Sequence, residues 1–388
     1  MPETLCRHFN GYKPCGKNTE CSRAACAHYS ARGPNILLIH LEALGAVVRS
    51  TSLLKAIRRA YPGAQITWIT KTPQLLENLE VERVLGLNAE DLLKLSALSF
   101  DTALVVDKSM AAAGLLRHTR VNKVRGFVID AFSGAVIPAN REAEELWQLG
   151  LSDHLKFNVN QKSEQRLTHE ALNLGSYRRD EYEIRLSASE RALSAQRRKL
   201  WSPMGAPIVG INTGCSETLP NKRLSLEGHR RLIEAVRSHP RLGLLPIVLL
   251  GGPEDSERNG SIGEGFGGAV ITSPTTRGLR DGLASVAACD LVFTGDSLGM
   301  HMAIGLKRWV VAWFGPSCAS EIDLYDRGQK ILTSVSCSPC WKRVCQQSVM
   351  CYDQVDFQAA TAALAQGLDW LTSSTKPHFP ETFSSPSL

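Results

Sequence analysis

The feature that most constrains this fold is a recurring order: a short aliphatic run, a glycine-bearing turn, then apolar residues at helical spacing. It begins at Asn35 with NILLIHLEALGAVVRSTSLLKAIRRAYPGAQITWIT. NILLI predicts a strand. Val47, Leu53, Leu54 and Ile57 predict a helix, Tyr61-Pro62-Gly63 stops it, and QITWIT alternates as a second strand. TALVVD (102–107) and KVRGFVID (123–130) add further strands. The order restarts at Ala206, where PIVGINTG opens into a turn, LEGHRRLIEAVRSH is a helix and LLPIVLLGG a buried strand. AVITSPT, DLVFTGD and WVVAWFG continue the series. Strands alternating with helices build a parallel sheet covered on both faces. Two such series predict two α/β domains facing each other across a cleft.

A chain of 388 residues is long for one core and ample for two. The expected divisions are a Cys-rich extension over 1–31, a first domain over 32–180 and a charged linker over 181–204. A second domain over 205–355 follows, then the amphipathic stretch QAATAALAQGLDWL and a turn-rich tail over 356–388. The 44 basic and 38 acidic side chains leave +6, which favours an anionic ligand or membrane face and is too small to indicate a nucleic-acid partner. No apolar stretch reaches the roughly 18 residues needed to span a bilayer. MPETLCRHFNGYK lacks the apolar core of a secretory signal, so a cytoplasmic location is expected.

In a reducing compartment the eleven cysteines call for a role other than disulfides. Cys215, Cys289 and Cys318 are scattered, whereas Cys6, Cys15, Cys21 and Cys26 form one group and Cys337, Cys340, Cys345 and Cys351 another. Four clustered thiolates match the donor set of a structural zinc or iron site. The second group opens with C-x2-C, the tighter spacing and the stronger signal. Inert buried thiols and a redox cluster are the alternatives.

Ligands of doubly wound sheets bind beyond the carboxyl ends of the strands. The polar residues concentrate in such turns: Asn212-Thr213-Gly214, Gly251-Gly252-Pro253-Glu254-Asp255 and Thr294-Gly295-Asp296-Ser297. Read together, over about residues 35 to 355, these turns resemble glycosyltransferase family 9, the ADP-heptose transferases of lipopolysaccharide assembly. GDSLGMHMAI, followed by WFGPS and EIDLYDRG, carries most of the likeness, and INTG…NKR and LLGGPED match in order.

The resemblance implies two Rossmann-like domains of GT-B type and an ADP-heptose donor. It implies that the helix opening at Ser297, Leu298 and Gly299 presents N–H groups to the diphosphate. Thr294 and Gly295, leading into that turn, would also bind the donor, Asp296 would engage heptose hydroxyls, and His301 would face ligand or brace the loop. Lys222 would neutralise the leaving phosphate as a point charge, with Arg223 beside it. Thr213 and Gly214 would contact phosphate, and Glu254 the nucleotide ribose. The plainer alternative for Asp296, Ser297 and Glu254 is helix capping. The Cys-rich start also looks like a subgroup in which relatives that modify autotransporters carry a Cys-ligated iron finger. No divalent metal is expected in catalysis.

One position departs from the family. Its members usually carry an Asp in a GALGD-type first turn, held to be the base, and the matching stretch EALGAVV places Ala46 there. Alanine cannot accept a proton. Asp107, ending TALVVD, is the first substitute and Glu42 the second, although Asp107 could equally start a helix. The expected activity is inverting transfer of heptose to a lipopolysaccharide-core or related hydroxyl, with catalytic Asp107 and Lys222. A protein O-heptosyltransferase and a non-catalytic nucleotide-sugar-binding scaffold are the alternatives. The acceptor would be a glycolipid or a protein, met in the cytoplasm or at the cytoplasmic face of the inner membrane. The oligomeric state stays open.

Overall fold

The computed structural model describes residues 6–9, 11–21 and 26–373. The tail expected to be turn-rich lies, from residue 374 onward, outside the described residues. The chain divides into two compact units, Met1–Ser187 with Cys318–Asp323, and Ala188–Ser317 with Leu324–Leu388.

The first unit holds strands β1 (Asn35–Ile39), β2 (Gln65–Ile69), β3 (Arg83–Leu85), β4 (Ser99–Val105), β5 (Arg120–Ile129) and β6 (Val136–Pro138). Its helices are α1 (Leu44–Ser50), α2 (Leu53–Ala60), α3 (Ala89–Ser96), α4 (Met110–Arg117), α5 (Glu144–Leu151) and α6 (Glu164–Ala171). The sheet order is β3-β2-β1-β4-β5-β6, parallel throughout except for β6, which runs antiparallel to β5.

The second unit opens with α7 (Ala188–Trp201) and continues β7 (Val209–Asn212), α8 (Leu226–Ser238), β8 (Ile247–Leu250), α9 (Ser256–Glu264), β9 (Val270–Thr272) and α10 (Leu279–Ala288). Then come β10 (Leu291–Gly295), α11 (Leu298–Gly305), β11 (Trp309–Phe314), β12 (Gly328–Leu332) and α12 (Phe357–Thr372). Its order, β12-β11-β10-β7-β8-β9, is parallel throughout. Each sheet therefore repeats one doubly wound order, whose direction reverses between its first and fourth strands, β1 and β4 or β7 and β10.

Burial explains the aliphatic runs. Every residue of β2, β8 and β11 is buried, as expected of strands with helices on both faces. Ser109, Ser163, Ser225 and Ser297 each cap the helix that follows with a side-chain oxygen. α12 closes the second core, where the Trp309 indole N–H donates to the Ala363 carbonyl at 2.8 Å.

Residues 181–204 are not simply a linker, because most of this segment is α7, packed against α10 in the second unit. Arg197 makes a buried two-pronged bond to Asp281, at 2.7 and 2.8 Å, and Arg280 pairs with Glu190. The charge that reads as solvated linker is spent on ion pairs inside one unit. The short segment Cys318–Asp323 also departs from the expected division, since it belongs to the first unit.

Candidate active site

The order of the second sheet reverses between β7 and β10, and most of the residues expected to bind a donor meet there. β7 ends in Asn212, whose carboxamide donates to the Gly214 carbonyl (2.9 Å), Ser297 Oγ (3.0 Å) and Thr294 Oγ1 (3.3 Å). The approach is so close that a Cβ on Gly299 would stand 2.5 Å from Asn212 Oδ1. Gly295 is crowded differently: a Cβ there would stand 2.0 Å from the Lys222 carbonyl oxygen. Backbone contact thus seats the Pro220–Lys222 turn against the end of β10.

On that seat, Lys222 Nζ donates to Asp296 Oδ2 at 2.9 Å, and both side chains are largely enclosed. His301 Nε2 lies 3.9 Å from the other carboxylate oxygen, so the histidine braces the loop. Burial works against the Asp296 charge. Lys222, then His301, with the Ser317 hydroxyl nearby, outweigh it and hold the carboxyl below its usual range. Ser297 caps α11 by accepting the Met300 N–H at 3.4 Å, so capping accounts for Ser297. It does not account for the Lys222–Asp296 pair. The N–H groups of Leu298 and Gly299 fall in the first helical turn, which has no acceptor within the helix.

Two hydroxyls are placed otherwise than expected. Thr213 is fully enclosed, donating to the Leu250 carbonyl at 3.1 Å and meeting Asn259 of α9 at 2.5 Å, so its side chain is structural and not a phosphate contact. Thr294 is also buried and donates to the Gly295 carbonyl at 2.7 Å, shaping the turn. Gly214 is pressed by Asp255, whose Oδ2 would lie 1.9 Å from a Cβ there. Asp255 is the buried acid of GGPED: it accepts the Gly252 N–H at 2.9 Å, and burial pushes its carboxyl up. Glu254 beside it is exposed. Arg223 turns to Glu217 at 3.3 Å, away from the Lys222 pair.

In the first unit the corresponding reversal lies between β1 and β4. Asp107 sits just past β4, and its Oδ2 accepts the Leu41 N–H at 2.9 Å, tying the two strand ends together. His40 Nδ1 lies 2.7 Å from Ser50 Oγ, and burial lowers the imidazole pKa despite the opposing Asp107 charge. A small recess beside them is lined by His40, Arg49, Ser50 and Glu164, with Arg49 paired to Glu164 at 2.5 Å. Glu42 is exposed and pairs with Lys71 at 2.8 Å. Ala46 falls in the first turn of α1, which carries no acid.

The cysteines divide by group. Burial, then the neighbouring Cys340, Cys345 and Cys337, push the Cys351 thiol up to about 11, so those three thiols lie within electrostatic reach of Cys351. The donor chemistry suits zinc or iron. Among the described residues, however, no group of three or more His, Cys, Asp or Glu side chains is placed to hold a metal ion. Cys6 pairs in an isolated bridge with Ala31, while Cys15, Cys21 and Cys26 lie in irregular chain.

Sequence reasoning placed Asn212 in a ligand-facing turn without giving it a role, and passed over Trp341. Asn212 organises the turn, and its signal was its place directly after a buried strand. Trp341, inside the second cysteine group, lies with its ring centroid 5.0 Å from Lys222 Nζ. No sequence pattern marks that contact.

Two doubly wound units define an α/β protein, and the second gathers at its switch point an ammonium, a carboxylate and a helix opening, groups able to meet a phosphorylated ligand. The chain belongs to glycosyltransferase family 9 (heptosyltransferase), whose sequence pattern matches residues 93–350, more than half of its length. It is therefore a glycosyltransferase of the heptosyltransferase type. No curated protein matches the sequence. Among solved structures, a family 9 glycosyl transferase from Veillonella parvula is 18% identical with a TM-score of 0.69, over 87% of this chain and 98% of that one. Escherichia coli ADP-heptose lps heptosyltransferase II is 18% identical with a TM-score of 0.63, over 87% and 100%. TibC, an iron-containing dodecameric glycosyltransferase from enterotoxigenic E. coli, is 12% identical with a TM-score of 0.50, over 88% and 77%. At such identities the likeness is one of fold.

Proposed function

We propose that this enzyme moves heptose from ADP-heptose to a hydroxyl of a lipopolysaccharide core or related acceptor, with inversion at the anomeric carbon. The observation that carries the proposal is the enclosed Lys222–Asp296 pair beside the opening of α11. As the bond from the anomeric carbon to the diphosphate breaks, negative charge grows on the departing ADP. Lys222 meets it as a point charge, and the N–H groups of Leu298 and Gly299 meet it as fixed dipoles. Neither group has to reorganise much, because both are already seated by Gly295 and Asn212. Asp296, held ionised, accepts from heptose hydroxyls, and exposed Glu254 from the ribose.

The acceptor oxygen bonds to the anomeric carbon from the opposite side, through an oxocarbenium-like state of the kind glycosidases use. Its proton passes to Asp107. One oxygen of that carboxylate stays on the Leu41 N–H, which fixes its direction and leaves Oδ1 to receive the proton. Glu42 is the second candidate. Fixed protein groups supply the positive charge at the phosphates, so no divalent metal enters the reaction.

Cys337, Cys340, Cys345 and Cys351 would hold a structural zinc or iron ion, with Cys6, Cys15, Cys21 and Cys26 as the weaker second set. Such an ion would fold a loop too small to own a core. Among the described residues no helix is long and apolar enough to cross a membrane. A cytoplasmic enzyme of net charge +6 suits work on anionic glycolipid at the inner face of a membrane. The test is to incubate the purified protein with ADP-heptose and either lipid A–core or a protein acceptor, and to follow ADP. Release that depends on lipid A–core supports the reading. Release only with protein moves the acceptor, and tight ADP binding without release defeats transfer.

A further inference from the structure

We propose that Trp341 is a positioning residue for the Lys222 ammonium, and that through it the second cysteine loop forms part of the donor site. The inference rests on the role given to Lys222 above. Lys222 Nζ is held from two sides, 2.9 Å from Asp296 Oδ2 and 5.0 Å from the Trp341 ring centroid. The two contacts differ in kind. A carboxylate neutralises an ammonium, so a second acid at this place would fix Lys222 and also cancel the charge that the leaving diphosphate needs. An indole face attracts the ammonium through its quadrupole and adds no net charge. It therefore fixes the flexible lysine chain without cancelling more of its charge than Asp296 already does.

The backbone around Trp341 is tied down as this role requires. Its φ of 52° is left-handed, an outlier for a bulky residue that persists only where the surroundings impose it. The N–H groups of Trp341 and Cys340 both donate to the Pro316 carbonyl, at 2.8 and 3.1 Å. Ser338 Oγ donates to the Gly315 carbonyl at 2.6 Å. The segment that receives these bonds continues into Ser317, whose hydroxyl lies near Asp296. One strap therefore holds the indole and borders the carboxylate, the two groups between which Lys222 sits. Gly315 itself is pressed by the loop, since a Cβ there would stand 2.7 Å from Cys351 Sγ. The loop is thus seated closely on the end of β11.

The experiment measures kcat, KM for ADP-heptose and ADP affinity in the full-length protein, with thermal melts as a control for folding. The set is wild type, Trp341→Phe, Trp341→Leu, Lys222→Met and the Lys222→Met/Trp341→Leu double variant. Trp341→Leu keeps apolar bulk without the π-face and should lower kcat about tenfold, with little change in ADP affinity or melting temperature. Trp341→Phe restores an aromatic face and should recover part of that loss. In the Lys222→Met background Trp341→Leu should cost nothing further. A leucine effect that persists in full without Lys222, or a loss confined to ADP affinity as expected of adenine stacking, would overturn the assignment. An active wild type with such variants defeats only the role of Trp341. A wild type that releases no ADP defeats the transfer reading, and the role of Trp341 with it.

Discussion

In the proposed mechanism Lys222 and Asp107 carry the two halves of the chemistry, and each role is testable by one substitution. Lys222→Ala removes a preorganised charge that matters most as ADP departs. Turnover should fall by about 10²-fold or more, the scale for losing one transition-state electrostatic partner. Donor affinity should change less, because the uncharged part of the donor keeps its contacts. Unchanged kcat would take Lys222 out of the mechanism. Asp107→Asn keeps the shape, and the amide oxygen can still accept the Leu41 N–H. It cannot take a proton, so transfer should nearly cease while ADP still binds. Ala46→Asp in that background is the companion, since it restores the family acid in the first turn of α1. Full activity in Asp107→Asn would shift the role to Glu42, which already has Lys71 as a partner.

The site also depends on elements meeting at the right separation. Gly295→Ala would drive a methyl to 2.0 Å from the Lys222 carbonyl, a backbone atom with nowhere to rotate. The turn must shift, at a cost of about 1–3 kcal/mol by the usual scale of overpacking. Its signature should be a loss in kcat larger than the loss in melting temperature explains. The cysteine loop gives a second test at this scale. Protein purified without chelator should contain zinc or iron by elemental analysis. Replacing Cys337 and Cys340 together should lower both metal content and thermal stability. Fully stable, metal-free protein would leave these residues as plain thiols.

Legibility also varied by element. β8 and β11 were plain because strands buried on both faces are written as unbroken apolar runs. β3 and β12 escaped notice: each is a sheet edge, RVL buries only its last residue fully, and GQKIL exposes three of its five. α7 read as a linker because its charges are balanced by Asp281 and Arg280, far away in sequence. At the site, the family resemblance marked Ser297 and Lys222 as types suited to phosphate and Asp296 as one suited to sugar hydroxyls. The sequence does not disclose that Thr213 spends its hydroxyl on Asn259, or that Trp341 meets Lys222, because folding alone creates those neighbours.

At the scale of the whole molecule, two units of one strand order carry different polar groups at the same switch point. The second has the cation and the helix opening, and the first has Asp107 with a buried histidine. Acid stability offers a check on the second unit as a folded body. Burial, then Arg258, pushes the His229 imidazole down to about 3, and its Nδ1–H donates to the Ser225 carbonyl at 2.9 Å. A group lowered on folding contributes stability that is present above its unfolded pKa of about 6.5 and lost as pH falls toward the folded value. Melting temperature should therefore decline between pH 6.5 and about 3, and His229→Gln should flatten part of that slope. An unchanged slope would mean that other groups govern acid unfolding.

The most direct test of the account is the initial rate of ADP release from ADP-heptose, with and without lipid A–core acceptor, for wild type and Lys222→Ala side by side. The account predicts acceptor-dependent release by the wild type and a rate lower by about 10²-fold in the variant, with ADP bound by both. Equal rates in the two proteins, or ADP bound by both and released by neither, would contradict it.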